Sequence, residues 1–189
     1  MQRFHQILFI FCVLALSWLV MMAVHELGHV MGAVLTGGTI QRVVLHPLTI
    51  SRTDVLPNPN PLVVVWLGPL VGCVLPLLFT VLVPKSNRIA RAIAFFFAGF
   101  CLIANGAYIA LGSIDSIGDC GVMLESGSPI WTLIAFGIAA ISLGLFLWHR
   151  LGTIKEFLAE PSLVDSRITY VLLAALLVLI TMEFYLSPR

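Results

Sequence analysis

Residues 7–35, ILFIFCVLALSWLVMMAVHELGHVMGAVL, decide how the rest of the sequence is interpreted. This stretch is uncharged as far as Val24, and it exceeds the roughly 20 residues that a helix needs to cross a bilayer. His25, Glu26 and His29 then interrupt it. Ionisable side chains at membrane depth usually face a cavity or a partner, because contact with hydrocarbon is unfavourable. The stretch therefore predicts a retained first membrane span that carries a polar site.

The three polar residues form an H-E-x-x-H motif. Positions four apart on a helix differ by about 40° and about 6 Å, so the imidazoles of His25 and His29 face one point. Two such nitrogens can bind one Zn²⁺, and Glu26 beside them can hold a zinc-activated water and accept its proton. The alternative is that the three side chains merely lie at a wet interface. We favour a zinc site in which Glu26 is the general base.

The composition extends the membrane interpretation to the whole chain. Of the 189 residues, 60% are hydrophobic and 10% are charged, whereas roughly a quarter are charged in a soluble domain. The formal net charge is +1 and no basic run occurs, so there is no reason to expect a nucleic-acid partner. We predict an all-α polytopic membrane protein that lies in a lipid bilayer as a single domain over residues 1–189. Five transmembrane spans are expected, at residues 7–35, 62–83, 92–111, 130–148 and 168–186.

The connections between the spans differ in character. Residues 39–45 and 48–52 contain β-branched side chains and flank His46-Pro47, which predicts a small surface β-hairpin at about residues 39–53. Residues 112–129 are rich in glycine, serine and aspartate, and we expect them to be non-helical. Residues 149–167 are expected to contain a short polar amphipathic segment.

A catalytic zinc ion needs a third protein ligand and an open position for water. The candidates are Asp115 and Asp119, in the stretch GSIDSIGDCG at residues 112–121. Both follow the third predicted span, and the flanking glycines allow the backbone to bend toward another helix. Taken alone, the two aspartates would be interpreted as exposed loop residues. Beside an H-E-x-x-H motif we prefer Asp119 as the ligand, with Asp115 as the alternative.

Several short motifs together resemble the site-2 protease family of intramembrane zinc metalloproteases, in a minimal form. They are HELGHVMGA at residues 25–33, TGG at 36–38, GPL at 68–70 and GDCG at 118–121. The resemblance covers about residues 18–121. It implies a catalytic core of three spans within residues 1–121, to which residues 130–186 add two accessory spans.

The same resemblance implies a site and a substrate. His25, His29 and Asp119 would be the zinc ligands, Glu26 would activate water, and a membrane protein or peptide would be cleaved. The sequence departs from the family at one point: the usual Asn-Pro-Pro-Leu-Asp-Gly stretch is absent. Asn105 lies fourteen residues before Asp119 with no proline between them, which does not match the family's substrate-orienting amide.

Alternatives remain open at this point. A different membrane zinc protease would take a glutamate as its third ligand, and Glu156 and Glu160 have helical spacing. The chain would otherwise be a non-catalytic protease-like scaffold or a metal-binding membrane protein. A transporter is disfavoured because the second and fourth spans contain no ionisable side chain. His46 and His149 are interpreted as interfacial residues, and Glu183 as a helix-end residue that snorkels.

The membrane orientation is also open. With a cytoplasmic N-terminus, seven of the ten lysines and arginines fall on the cytoplasmic side, which favours that orientation. The family resemblance implies the opposite arrangement, with the hairpin and the catalytic face toward the cytoplasm.

Overall fold

The computed structural model describes residues 2–152 and 165–187. Within these ranges the chain forms six helices and one two-stranded sheet. The elements in chain order are α1 (Gln2–Thr36), β1 (Ile40–Val44), β2 (Arg52–Val55), α2 (Pro61–Leu82), α3 (Arg88–Asp115), α4 (Asp119–Glu125), α5 (Ile130–His149) and α6 (Ser166–Leu186). Most of the amphipathic segment expected at 149–167 lies outside the described residues.

Five helices are long and apolar enough to cross a membrane, namely α1, α2, α3, α5 and α6. Their most apolar windows have mean hydropathies between 1.9 and 2.8, yet only 17% to 44% of each window is buried inside the protein. Most of this apolar surface faces outward, which is stable in lipid and unfavourable in water. The chain is an integral, multi-pass membrane protein, and the predicted fold class is confirmed.

The first helix packs closely against the second. α1 has 35 residues, which corresponds to about 52 Å at 1.5 Å per residue, so it is longer than the bilayer core of about 30 Å. Gly28 and Gly32 lie on its face toward α2. A Cβ atom at Gly28 would lie 2.1 Å from the carbonyl oxygen of Leu67, and one at Gly32 would lie 2.7 Å from the Cα of Val64. Small residues let the two backbones approach in this way, which places α2 beside the H-E-x-x-H turn.

A two-stranded antiparallel hairpin follows α1, as predicted, but its second strand is shifted. The first strand lies within the predicted range, whereas β2 is Arg52–Val55 rather than residues 48–52. The register pairs Val43 with Thr53, with an irregularity between Ile40 and Arg42. Residues 45–51 form the connection, in which the amide of Thr49 donates to the carbonyl of His46 at 3.1 Å. Local β-branched composition indicated a strand there, but strand pairing is decided by contacts across the hairpin.

The expectation that residues 112–129 are non-helical is wrong. α3 continues to Asp115, and residues 119–125 form the short helix α4. Cys120 and Met123 are fully buried and belong to one apolar cluster with Ile109 and Leu133. Their i, i+3 spacing gives α4 an apolar face that packs on α2 and α3 and reaches Leu133 of α5. The glycine and serine content of this segment concealed that pattern.

The last helix extends beside α1 and reaches the hairpin. Near the start of both helices, Nε2 of His5 is 3.3 Å from the hydroxyl of Tyr170. At the other end, the amide of Leu45 donates to Oγ of Ser187 at 2.7 Å. The rings of His46 and Phe184 lie edge to face with centroids 4.6 Å apart. α6 therefore runs parallel to α1 and holds the end of β1.

Two predictions from the sequence are wrong where α6 contacts the hairpin. Glu183 is only 5% exposed, so the expectation that it snorkels to the interface is wrong. His46 is likewise buried rather than interfacial. The reason is non-local, because the hairpin covers the end of α6 that carries Glu183.

Candidate metal centre

Three side chains that are distant in sequence converge between α1 and the start of α4. The Nε2 atoms of His25 and His29 lie 2.9 Å and 3.3 Å from Oδ2 of Asp119. One ligand atom from each residue can be chosen so that all three lie within 4.8 Å of one another. Among the residues that the structure describes, no other group of three or more histidine, cysteine, aspartate or glutamate side chains comes this close together.

The donor set fits zinc. Two imidazole nitrogens and one carboxylate oxygen are a common catalytic zinc triad, which leaves one position open. A tetrahedral site with bonds of about 2.0–2.1 Å places its ligand atoms about 3.3 Å apart. The His29–Asp119 distance equals that value, and the His25–Asp119 distance of 2.9 Å is somewhat shorter.

Each histidine has a hydrogen-bond partner on the ring nitrogen that faces away from Asp119. Nδ1 of His25 is 2.6 Å from Oδ1 of Asn105, and Nδ1 of His29 is 2.9 Å from the carbonyl oxygen of Val64. Because a carbonyl oxygen only accepts, Nδ1 of His29 carries the hydrogen, and the same holds for His25 if the Asn105 oxygen is the acceptor. With a metal bound, each ring would be neutral and present the lone pair of Nε2 to it, whereas without a metal Nε2 carries the hydrogen that it shares with Oδ2 of Asp119.

Gly68 of α2 lies against the Nε2 atoms of both imidazoles. A Cβ atom at this position would lie 2.5 Å from Nε2 of His29 and 2.9 Å from Nε2 of His25. Any side chain here would therefore displace the two ring nitrogens that face Asp119. The glycine of the GPL motif at residues 68–70 thus leaves room for the two imidazoles and supplies no ligand.

A tight turn after α3 delivers Asp119 to the site. Ser116 adopts a left-handed conformation with φ 53°, and Gly118 has φ 55° and ψ −128°. The conformation of Gly118 is essentially restricted to glycine. The amide of Asp119 then donates to the hydroxyl of Tyr108 at 3.1 Å. Asp115 ends α3 and is exposed, so the structure brings Asp119 to the histidines and leaves Asp115 outside the site.

The electrostatics of Asp119 favour its charged form. Burial raises the pKa of this carboxyl, but the hydrogen bonds with His25 and His29 outweigh burial and hold the pKa of Asp119 well below its ordinary value of 3.8. The group is therefore ionised at neutral pH. An ionised oxygen is also the form that binds a metal ion.

Glu26 lies on the same helical turn and faces the hairpin. It is 2% exposed, and its Oε2 accepts a hydrogen bond from the hydroxyl of Thr53 at 2.7 Å. A cavity of about 1250 Å³ reaches Glu26, His25, His29 and Asp119. Its walls are α1, α2, α3, the start of α4 and the hairpin. The carboxylate and the three potential ligands therefore share one cavity among apolar helices.

Sequence reasoning placed four of these residues at the site and missed others. Asn105 was not expected to act as the family's substrate-orienting amide, and the structure shows it against His25 instead. No sequence pattern indicated that Thr53 and Tyr108 belong to the site, because each contacts a residue of a distant element. A polar Asn105 within an apolar span was the one available sign of such a contact. The alternative ligands Glu156 and Glu160 lie outside the described residues.

Comparison with known families identifies the chain at this point. The profile of a family described as Peptidase M50B-like matches residues 5–110, which is more than half of the chain. The matched range contains the H-E-x-x-H motif, the hairpin, α2 and Asn105. The chain belongs to the Peptidase M50B-like family. This assignment agrees with the resemblance to site-2 proteases.

The match to the M50B-like family covers only part of the candidate metal centre. It includes His25, Glu26 and His29 but ends before Asp119, so the third position is supported by geometry alone. Peptidases of the M50 family use zinc, which agrees with the donor set. No curated protein and no solved structure matches the M50B-like chain significantly.

Proposed function

We propose that this M50B-like protein is an intramembrane zinc metalloendopeptidase that hydrolyses a peptide bond in a membrane protein or peptide. His25, His29 and Asp119 would hold Zn²⁺, and Glu26 would be the general base. The observation that carries the proposal is the convergence of three ligand atoms within 4.8 Å of one another, on the same cavity as a buried glutamate. In this proposal residues 1–121 form the catalytic core, and residues 130–186 contribute the two accessory spans.

The chemistry divides between the metal and the protein. Zinc, when bound, acts as a Lewis acid that polarises the scissile carbonyl and makes water more acidic. Glu26 accepts a proton from the attacking water as the oxygen adds to the carbonyl carbon. The carbon–nitrogen bond then breaks, and Glu26 returns the proton to the leaving amine. Asn105 and the Val64 carbonyl keep the two imidazoles oriented throughout.

The strand that lines the cavity favours an extended substrate segment. An intact helix hides its carbonyl groups from attack, so a substrate helix has to unwind locally before cleavage. β2 borders the cavity, and a hairpin edge can pair with an extended chain through main-chain hydrogen bonds. The apolar exteriors of the spans keep the whole reaction at membrane depth, where the substrate spans also lie.

The substitution Glu26→Gln tests this function. It removes the proton acceptor but keeps the size of the side chain and all three proposed ligands. We expect the variant to bind zinc as the wild type does and to lose cleavage of a panel of single-span membrane proteins in proteoliposomes, measured by mass spectrometry of the fragments. Glu125→Gln is the matched control, because Glu125 is exposed at the end of α4.

The outcomes separate an enzyme from its alternatives. Cleavage by the wild type and by Glu125→Gln, but not by Glu26→Gln, supports the peptidase. Equal fragment patterns with Glu26→Gln and with the wild type would remove Glu26 from the mechanism. A zinc-loaded wild type that cleaves nothing in the panel would favour a non-catalytic, metal-binding scaffold.

A further inference from the structure

The hydroxyl of Thr53 is placed directly on the carboxylate of Glu26. Oγ1 of Thr53 donates to Oε2 of Glu26 at 2.7 Å, although the two residues belong to different elements. Hydrogen bonds to an ionised carboxylate are short and roughly twice as strong as neutral ones. Within residues 2–152 and 165–187, the other oxygen, Oε1, has no hydrogen-bond partner, and the cavity reaches this residue. One oxygen of Glu26 is thus held while the other remains available to a water molecule.

The alternation of β2 explains why Thr53 points at α1. Successive side chains of a strand point to opposite faces. Arg52 and Asp54 pair with each other at 3.4 Å and are about half exposed, so they occupy the outer face. Thr53, between them, lies on the inner face toward Glu26. A shift of one residue in register would replace this hydroxyl with a charged side chain.

The strand that carries Thr53 is itself fixed at several points. Thr53 pairs with Val43 in the two-stranded ladder. Beyond the ladder, the amide of Leu56 donates to the carbonyl of Thr39 at 2.8 Å. Directly after the partner strand, the amide of Leu45 donates to Oγ of Ser187, the residue that follows α6. Thr53 is therefore presented to Glu26 by an anchored element.

We infer that Thr53 is a positioning residue for Glu26. Through this contact, the position of the hairpin determines the orientation of the general base. The inference rests on the proposed function. A glutamate side chain has three rotatable bonds, and its terminal torsion is broad. The Thr53 hydroxyl selects one orientation and leaves Oε1 toward the cavity. Without the Thr53 hydroxyl, Glu26 would lose this restraint and sample orientations that do not serve proton transfer.

The test compares Thr53→Val, which keeps the shape but removes the hydroxyl, with Thr53→Ser, which keeps the hydroxyl. For a single-span protein cleaved by the wild type, we expect kcat of Thr53→Val to fall about tenfold or more, since a hydrogen bond to a charged group is worth about one decade or more. KM and zinc content should stay unchanged, and Thr53→Ser should retain kcat within about threefold. Thr181→Val is the matched control, because the Thr181 hydroxyl bonds to its own exposed helix.

A second measurement does not depend on activity. In the metal-free protein, Thr53→Val should lower the thermal midpoint by about 2–4 °C when Glu26 is present. In a Glu26→Leu background, which lacks the acceptor, the same substitution should have little effect. This comparison of four proteins isolates the Thr53–Glu26 contact from any general effect on the hairpin.

Several results would overturn the inference: kcat of Thr53→Val within twofold of the wild type, an equally large loss in Thr53→Ser, a loss confined to KM, or equal shifts of the midpoint in both backgrounds. These failures differ from a failure of the proposed function. If the wild type cleaves and Thr53→Val cleaves equally well, only the role of Thr53 is wrong. If the wild type cleaves nothing, the four midpoints still decide whether Thr53 restrains Glu26.

Discussion

Oδ1 of Asn105 lies 2.6 Å from Nδ1 of His25, and both side chains are buried. The amide nitrogen of Asn105 donates in turn to the carbonyl of Cys101 at 2.9 Å, one turn earlier in α3. This second bond orients the carboxamide so that its oxygen faces the imidazole. The buried Asn105 thus has a partner for both its oxygen and its nitrogen, and it determines which nitrogen of His25 faces the metal position.

The first prediction concerns this asparagine. Asn105→Leu has a similar volume but cannot accept the Nδ1 hydrogen of His25, so the ring loses its orientation and its preferred tautomer. We expect zinc affinity to fall about 10–100-fold, as is typical when an outer partner of a metal ligand is lost. Competition with a chelator of known affinity measures the change. Asn87→Ala, which removes an exposed helix-capping amide from α3, should leave affinity unchanged. Equal affinities in Asn105→Leu and the wild type would show that His25 needs no such support.

The second prediction concerns the turn that carries Asp119. Tyr108→Phe removes the hydroxyl that accepts the amide hydrogen of Asp119 at 3.1 Å. The loss of one neutral hydrogen bond, worth about 1 kcal/mol, should weaken zinc binding about fivefold. Tyr170→Phe is the control, because Tyr170 contacts His5 at the start of α1, away from the site. A loss of the same size in both variants would mean that tyrosine hydroxyls affect the fold generally.

The third prediction concerns acid stability of the metal-free protein. The pKa of Asp119 is held below its ordinary value of 3.8 by His25 and His29. Because the folded protein binds this proton more weakly than the unfolded chain, the stabilisation is fully present above pH 3.8. It is lost as the pH falls through the lower, folded value. Asp119→Asn, which cannot ionise, should lose less stability than the wild type as the pH falls from about 4 to about 2. Parallel declines of the thermal midpoint in the two proteins would contradict the assignment.

The parts of the fold that follow from local patterns were predictable from the sequence. Five spans follow from runs of apolar residues, and the geometry of His25 and His29 follows from helical spacing alone. The hairpin was predicted in the correct connection because two stretches with β-branched side chains flank His46-Pro47. An acid after the third span was predicted as the third ligand because glycines flank both candidates, Asp115 and Asp119, of which Asp119 was preferred.

The remaining features depend on contacts between distant elements. The register of β2 is set by pairing with β1 and not by the composition of residues 48–52. α4 forms because Cys120 and Met123 find apolar partners on other helices. The roles of Asn105 and Thr53 exist only once α3 and the hairpin reach α1. No pattern within ten or twenty residues encodes those distances.

The zinc content of the purified protein tests the central claim most directly. Asp119→Ala removes the proposed third ligand, and Asp115→Ala is the matched control, four residues earlier and exposed at the end of α3. After equal loading and removal of free metal, we expect about one zinc ion per chain in the wild type and in Asp115→Ala, and a large loss in Asp119→Ala. Full zinc content in Asp119→Ala, or a loss confined to Asp115→Ala, would contradict the centre formed by His25, His29 and Asp119.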